Sequence, residues 1–467
     1  MTTSLNRFSH YLLLLLLVVT PLLRGSVQPW AVTAIHIATT TGLTMVLIQY
    51  AWNSEWRWIR TPLDRPIACI VVYAGLSTAL SVHRATSLRA LLLLINYIMI
   101  YYWVVHVTRS RRRLERMMRL FVLSSAFLSV FGLAKAFGLN PFSCWNYTDI
   151  PQSSLSLTST FGNRNHMAGY LEMTLPLALC MAVYAASHFR RFILLYIACI
   201  QAGALTLTLS RGGWIGFSGS LVLIATMLPF LSRRSHRKTW TLSVVTALAA
   251  LTVIILSSTP AVERLLTLGN GSQTPGMTVR IYIWQSVLHM IQDHPFLGTG
   301  PGTFALIFTQ YQPPGLVQQF FMAHNDYLHL IAETGLPAAL LMVWTLWVLF
   351  RTGAARLKHP SRRIRSWTLG AMAGITAILI HSICDFNLHI PANALLFMVL
   401  GAVVCGPVPD SFHVQLSEKN TIGFRNHGNI SPLQMFPATP DERCFPDADD
   451  CQPANRISHV SHRSKRL

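Results

Sequence analysis

Long apolar runs recur along most of the chain and alternate with short polar segments. Each run has about the 20 residues that a helix needs to cross the hydrocarbon core of a bilayer. The predicted spans cover residues 8–23, 28–50, 66–82, 88–108, 117–139, 166–187, 192–209, 213–231, 240–257, 327–350, 367–384 and 391–406. This pattern predicts an all-α polytopic membrane protein with about 12 transmembrane helices.

Two of the polar segments, 140–165 and 258–326, are much longer than the others. Glycine-rich stretches interrupt the second segment, and between them residues 277–295 carry apolar side chains every three to four positions, which predicts a helix. A long loop with its own helix usually has a function. We therefore predict a membrane domain over residues 1–406 and, because the remainder is polar and poor in apolar patterning, a disordered tail over 407–467.

The charge distribution predicts how the chain is oriented. Only 12% of the residues are charged, yet the formal net charge is +20. In a soluble protein this excess would suggest nucleic acid, but in a membrane protein Lys and Arg collect in cytoplasmic loops. With the N-terminus inside, the inner loops carry 21 Lys and Arg and the longer outer loops only 7. Both termini are therefore predicted to be cytoplasmic, and no nucleic-acid partner is expected.

The few arginines of the predicted outer face suggest a ligand. Arg211 lies at the mouth of two spans, Arg280 lies in the predicted loop helix, and Arg164 directly precedes a span. Each has a simpler interpretation, because Arg211 and Arg164 could reach lipid headgroups and Arg280 could face solvent. Taken together, several guanidinium groups on one face suit a phosphorylated substrate, whose oxygens they bind in pairs.

The stretch AHNDYLHLIAETGLP, residues 323–337, places ionisable groups beside an apolar run. Asn325 or Asp326 is predicted to cap a helix that Gly335 breaks or kinks. The apolar remainder, 336–350, is only about 22 Å long as a helix, so part of the polar stretch is expected at membrane depth, facing protein or a hydrated cavity.

His324 is the candidate general base of this stretch. At the start of a helix the positive end of the helix dipole disfavours the imidazolium, which leaves a neutral ring that can accept a proton. Capping or packing is the alternative role. Asp326, His329 and Glu333 are expected to line the same hydrated pocket, with Glu333 orienting a partner or pairing with an arginine, although the spacing turns His329 away from His324.

No metal site or cofactor is predicted from the sequence. The eight cysteines form no CxxC pair, and the outer loops contain no paired carboxylates, HExxH or phosphate-binding glycine motif. We therefore expect chemistry that needs no metal.

Several of these stretches resemble one known family. The stretch 323–337 and the preceding HPFLGTGPGTF (294–304) are similar to the signature region of the O-antigen ligase and polymerase superfamily. Its arginine-bearing span junction is similar to LSRGGWIGF (209–217), and TFGNRNHMAGYL (160–171) and HSICDFNLHIPANALLF (381–397) also resemble its members. The resemblance covers roughly residues 120–405.

The resemblance implies a GT-C-like, metal-independent glycosyltransferase of the bacterial inner membrane. Such enzymes take a glycan from undecaprenyl diphosphate on the periplasmic face and attach it to lipid A-core, to another glycan or to a protein. It implies His324 as general base and Arg211 and Arg280 as diphosphate ligands. Candidate accessory residues are Arg164, Asn325, Asp326 and Glu333. An O-antigen ligase is the first interpretation, and a polymerase or a protein O-oligosaccharyltransferase remains open.

Two other classes are weaker interpretations. A solute transporter is expected to place paired charges at the bilayer midplane or to show broken helices in repeated halves. Here the span centres are almost free of charge, and the polar groups collect on one face. A structural scaffold would leave the outward-facing arginines without a role.

Overall fold

The structure is a computed structural model that describes residues 2–52, 58–139, 142–145, 156–231, 275–312 and 319–408. All regular secondary structure in these residues is helical, which confirms the all-α prediction. The predicted span 240–257 and, apart from its first two residues, the predicted tail lie outside the described residues.

The described residues form fourteen α-helices, joined by loops and short 3-10 turns. In chain order they are α1 (Thr2–Leu22), α2 (Pro29–Trp52), α3 (Asp64–Ala79), α4 (Arg84–Val107), α5 (Arg111–Ala136), α6 (Arg164–Val183), α7 (His188–Leu207), α8 (Arg211–Leu231), α9 (Pro275–Asp293), α10 (Phe304–Ile307), α11 (Asp326–Thr334), α12 (Leu336–Arg356), α13 (Arg362–His381) and α14 (Pro391–Cys405).

Seven helices of the described part are long and apolar enough to cross a membrane, namely α1, α2, α4, α5, α6, α7 and α12. This agrees with a multi-pass membrane protein. The predicted spans 66–82 and 391–406 correspond to α3 and α14, which have 16 and 15 residues. At about 1.5 Å per residue, α14 measures about 22 Å, less than a hydrocarbon core. Protein surrounds most of α14, so its length does not have to match the lipid.

The predicted span 327–350 is two helices, α11 and α12, which meet at Gly335 as expected. Gly335 has a φ of +81°, and a Cβ there would lie 2.0 Å from the carbonyl oxygen of Phe296. The same segment satisfies the exposed carbonyls at the end of α11, since the Thr299 and Gly300 amides donate to Ala332 and Glu333. The chain therefore turns between α11 and α12 because the glycine-rich segment packs directly onto its backbone.

Helices α6, α8 and α13 pack closely in the middle of the bundle. Small residues permit this, because a Cβ at Gly374 would lie 2.4 Å from the Met173 carbonyl oxygen and one at Gly216 would lie 2.5 Å from that of Ala377. The packing brings the N-terminal ends of α6 and α8 and the C-terminal end of α13 to one end of the bundle. The functional residues predicted from the sequence gather at this end.

The helix predicted at 277–295 is α9. Its residues Ile283, Val287 and Met290 are fully buried in a small core with Phe304 and Phe308, separate from the core of the membrane helices. A second hydrophobic core of this kind holds a loop helix in a defined position. It fixes α9 against α11 and thereby sets the place of Arg280.

Candidate active site

The carboxylate of Asp385 is the point at which separate segments of the chain meet. Asp385 lies between α13 and α14, and only 3% of its side chain is exposed. The Asn165 amide donates a hydrogen bond to its Oδ2, Arg280 Nη2 lies 3.6 Å from the same oxygen, and His324 Nδ1 lies 3.9 Å from Oδ1. Asp385 therefore brings α6, α9 and His324 together at one site.

Asp385 is held in its charged form. Burial alone would raise its pKa, but the contact with His324 and the nearby charges of His381 and Arg280 lower that pKa well below the ordinary value. A buried carboxylate is stable only when it is paired in this way. The site therefore contains a fixed negative charge among cationic side chains.

His324 presents one face of its ring to the protein and leaves the other accessible. Its Nδ1 is buried without a hydrogen bond of normal length, whereas 31% of the side chain is exposed. The ring packs edge-on against Phe386, with centroids 5.0 Å apart. Because Nδ1 faces Asp385, Nε2 is the nitrogen that a substrate can approach.

The backbone of His324 is strained and held from both sides. Its φ is +50°, a conformation that non-glycine residues rarely adopt outside functional sites. The preceding residue, Ala323, accepts a hydrogen bond from the Trp284 indole of α9, at 3.0 Å, and donates one to His329 of α11, at 3.3 Å. Two helices thus define where His324 stands, and His329 contributes to the site by positioning it.

Arg280 contacts Asp385, and Arg164 and Arg211 each precede a residue that lies close to Asp385 or to its neighbour Cys384. Arg280 approaches the carboxylate directly, and 25% of its side chain is exposed. Arg164 is the first residue of α6, next to Asn165, which donates to Asp385. Arg211 is the first residue of α8, and a Cβ on the following Gly212 would lie 2.8 Å from the sulfur of Cys384, the neighbour of Asp385. Both of these arginines are half-buried.

Two other accessory residues, Asn325 and Asp326, stabilise the segments that carry the site. Asn325 caps α11, as predicted, by accepting from the Tyr327 and Leu328 amides. Asp326 accepts from the Ser382 hydroxyl and lies 2.7 Å from His389 Nδ1, so it ties α11 to the loop that carries Asp385. Burial would lower the pKa of His389, but its contact with Asp326 raises it.

Glu333 has a structural position. Its carboxylate accepts from the backbone amides of Gly302 and Phe304, at 2.7 and 2.9 Å, and lies 3.2 Å from His329 Nε2. Among the described residues the ion-pair partner of Glu333 is His329, and not an arginine. Asp326, His329 and Glu333 are between 3% and 8% exposed, so the expected hydrated pocket does not extend to them.

The sequence-based interpretation missed Asp385, Asn165 and His389. The available signal was an acidic residue and a histidine in the short loop between two apolar runs, in a stretch already noted for its family resemblance. Asn165 carried no comparable signal, because an asparagine near a helix start is explained by capping.

One region of the chain is similar to a known protein family. Residues 194–343 match the family model described as O-antigen ligase. This part of the chain is therefore similar to O-antigen ligases. The matched region contains His324, Arg211 and Arg280 and ends before Asp385. No curated protein matches the chain.

The similarity suggests a membrane protein that handles glycans. The seven membrane-length helices of the described residues agree with a multi-pass membrane protein. Asn165 and Asp385 lie outside the matched region of the sequence but meet Arg280 and His324 in space.

Proposed function

We propose that this protein is an O-antigen ligase that transfers a glycan from undecaprenyl diphosphate to a hydroxyl group of lipid A-core or of another glycan on the periplasmic face. The observation that carries the proposal is the arrangement of His324 and Arg280 around the buried carboxylate of Asp385. It combines a group that accepts a proton with a group that binds phosphate at the same end of the bundle. Glycosyl transfer from a diphosphate requires both.

His324 serves as the general base in this proposal. Its Nε2 removes the proton from the acceptor hydroxyl as that oxygen bonds to the anomeric carbon of the donor sugar. Asp385 faces Nδ1, keeps the ring in one orientation and stabilises the positive charge that the ring acquires. A separation of 3.9 Å is long for a hydrogen bond, and such contacts often shorten when substrate binds.

The arginines serve the leaving group. The bond between the anomeric carbon and the diphosphate oxygen breaks as the new bond forms, and the electron pair leaves with undecaprenyl diphosphate. Arg280 and Arg211 bind that diphosphate and stabilise the charge that develops on it. Asp385 aligns the Arg280 guanidinium, which remains a quarter exposed and able to contact a ligand.

The direction of attack decides the stereochemistry. The acceptor oxygen approaches the anomeric carbon from the side opposite the diphosphate, so the product should have the inverted anomeric configuration. Because the arginines carry the positive charge that a metal would otherwise supply, the proposed reaction needs no divalent ion.

The direct test is transfer by the purified protein in lipid nanodiscs, supplied with an undecaprenyl diphosphate-linked glycan and lipid A-core. His324→Gln keeps the size and hydrogen bonding of the ring but cannot take up the proton, so the rate should fall by about 10²–10⁴-fold. His289→Gln changes an exposed histidine of α9 and should retain the rate. A near-native rate for His324→Gln would refute the role as base.

Two further measurements use the same assay. The anomeric configuration of the product, read by NMR, should be inverted relative to the donor, and a retained configuration would contradict direct attack. Transfer should continue in excess chelator. A loss of activity that added magnesium restores would show that the arginines do not suffice.

A further inference from the structure

A cavity lies at the end of the bundle opposite the candidate active site. Its volume is about 370 Å³, within the range of small-molecule sites, and it is bounded by α5, α7, α13 and the residues that follow α6. Helix α6 runs from the active-site end at Arg164 to this cavity at its other end. Its 20 residues measure about 30 Å, so the two sites are separated by the thickness of a hydrocarbon core.

The cavity is positively charged at its rim. Arg119, Arg190 and Arg363 line it together with one acidic residue, Glu115. Glu115 pairs with Arg119 and lies 3.4 Å from Arg363. Three arginines against one carboxylate leave two positive charges, which favours an anionic ligand.

The interior of the cavity also offers a hydrogen-bonding group. Ser366 lines the cavity and is 2% exposed, and its Oγ has no hydrogen-bond partner. Buried hydroxyl groups nearly always have a partner. A ligand atom within the cavity would supply the missing one.

Away from the arginines, the walls of the cavity are apolar and lie at the outer surface of the bundle. On α7, Arg190, Ile193, Leu194 and Ile197 all line the cavity, so a charged group at one end is followed by about 10 Å of apolar surface. Neighbouring side chains are exposed although they belong to membrane-length helices, with Leu123 at 57% and Phe189 at 71%. The cavity is therefore open towards acyl chains and has cations where a headgroup would lie.

We propose that this cavity binds an anionic phospholipid of the membrane leaflet opposite the active site. The arginines bind the phosphate, the Ser366 hydroxyl bonds to a headgroup or ester oxygen, and an acyl chain lies along the apolar face of α7. Arginine suits this task because its fork of donors matches phosphate oxygens and stays charged. This lipid is distinct from the glycan carrier at the active site.

Native mass spectrometry of the full chain, purified in mild detergent and supplied with equal amounts of phosphatidylglycerol and phosphatidylethanolamine, tests the proposal. The protein should retain phosphatidylglycerol preferentially. The double variant R190Q/R363Q should reduce its occupancy about tenfold or more, since each arginine near a headgroup contributes several-fold to anionic lipid binding. Equal retention of the two lipids by the unaltered protein would overturn the proposal.

A matched control removes the same charge elsewhere. Arg112 and Arg362 are exposed at the same end of the bundle and do not line the cavity. The variant R112Q/R362Q should retain phosphatidylglycerol, and a loss as large as that of R190Q/R363Q would overturn the assignment to this cavity. Ala186 lies at the exposed rim, so Ala186→Trp should block the cavity without changing charge. Normal lipid occupancy in that variant would also refute the site.

Discussion

The Nδ1 atom of His324 lies 3.9 Å from Oδ1 of Asp385, and the two residues come from separate segments of the chain. His324 lies two residues before the start of α11, and Asp385 follows α13. The ring of Phe386 packs edge-on against the same imidazole. This contact turns an accessible histidine into an oriented one, because the buried carboxylate decides which nitrogen faces the protein.

Asp385→Asn should lower the rate of glycan transfer by about tenfold or more, because the His324 ring loses the charge that orients it and stabilises its protonated form. Donor binding should change less, since Arg211 and Arg280 remain. Steady-state kinetics in nanodiscs will separate the two effects. Asp293→Asn, which alters an exposed carboxylate of α9, is the matched control. Native turnover in the Asp385 variant would exclude the proposal that Asp385 orients the His324 ring and stabilises its charge.

The same substitution should also change the pH dependence of stability. The pKa of Asp385 is depressed in the folded protein, so its charge stabilises the fold at pH values above the pKa of the unfolded chain. This contribution is lost as the pH falls below the pKa of the aspartate in the unfolded chain and towards its depressed pKa in the folded protein. The unaltered protein should therefore melt at a higher temperature than Asp385→Asn at pH 7, with the difference narrowing below about pH 4. A difference that is constant with pH would show that packing, not charge, is responsible.

Arg211→Ala should abolish transfer while the protein still inserts and folds, and Arg280→Lys should be nearly as inactive. The loss is expected to be about 10²–10³-fold, the range seen when a donor to a developing negative charge is removed. Lysine keeps the charge of Arg280 but cannot hold two phosphate oxygens in the fork geometry. Arg89→Ala alters an exposed arginine at the same end of the bundle and should remain active. Surface glycan on cells that express each variant is the readout, and a normal glycan with Arg211→Ala would contradict the proposal.

The orientation of the chain can be tested by labelling introduced cysteines with an impermeant reagent. We predict that the segment 258–326 is periplasmic and that the tail is cytoplasmic. Ser272 and Ser417 are the probe positions that the sequence suggests for these two segments, but both lie outside the described residues. Thr309 and Lys358 are suitable alternatives because both are exposed. In a variant whose native exposed cysteines are replaced, Thr309→Cys should react from outside the inner membrane and Lys358→Cys should not. The reverse labelling would place the active site on the cytoplasmic face.

Local sequence patterns predicted the helices well where the bilayer or a single turn imposes a strong requirement. Apolar runs of helix length correctly indicated an all-α membrane protein. The spacing of Ile283, Val287 and Met290 identified α9 and its buried face, and Gly335 marked the break before α12. The predicted spans 66–82 and 391–406 are α3 and α14, which end three residues and one residue before the predicted bounds.

The candidate site divides in a similar way. Chemical reasoning from the sequence selected His324 and Arg280, which the fold does bring together. It could not show that Asp326 bonds to Ser382 and His389 or that Glu333 bonds to the backbone of Gly302, because these partners are distant in the chain.

The sequence by itself determined the chemical types available and the helices that carry them, since both depend on the residues within one or two turns. The tertiary structure alone decided that Asp385 is the centre of the site. The close approach of α6, α8 and α13 at small residues such as Gly216 and Gly374 brings Asn165 to this carboxylate. The separate hydrophobic core of α9 and α11 holds Arg280 and His324 beside it. Convergence of this kind arises from packing between distant segments, and a local pattern contains no record of it.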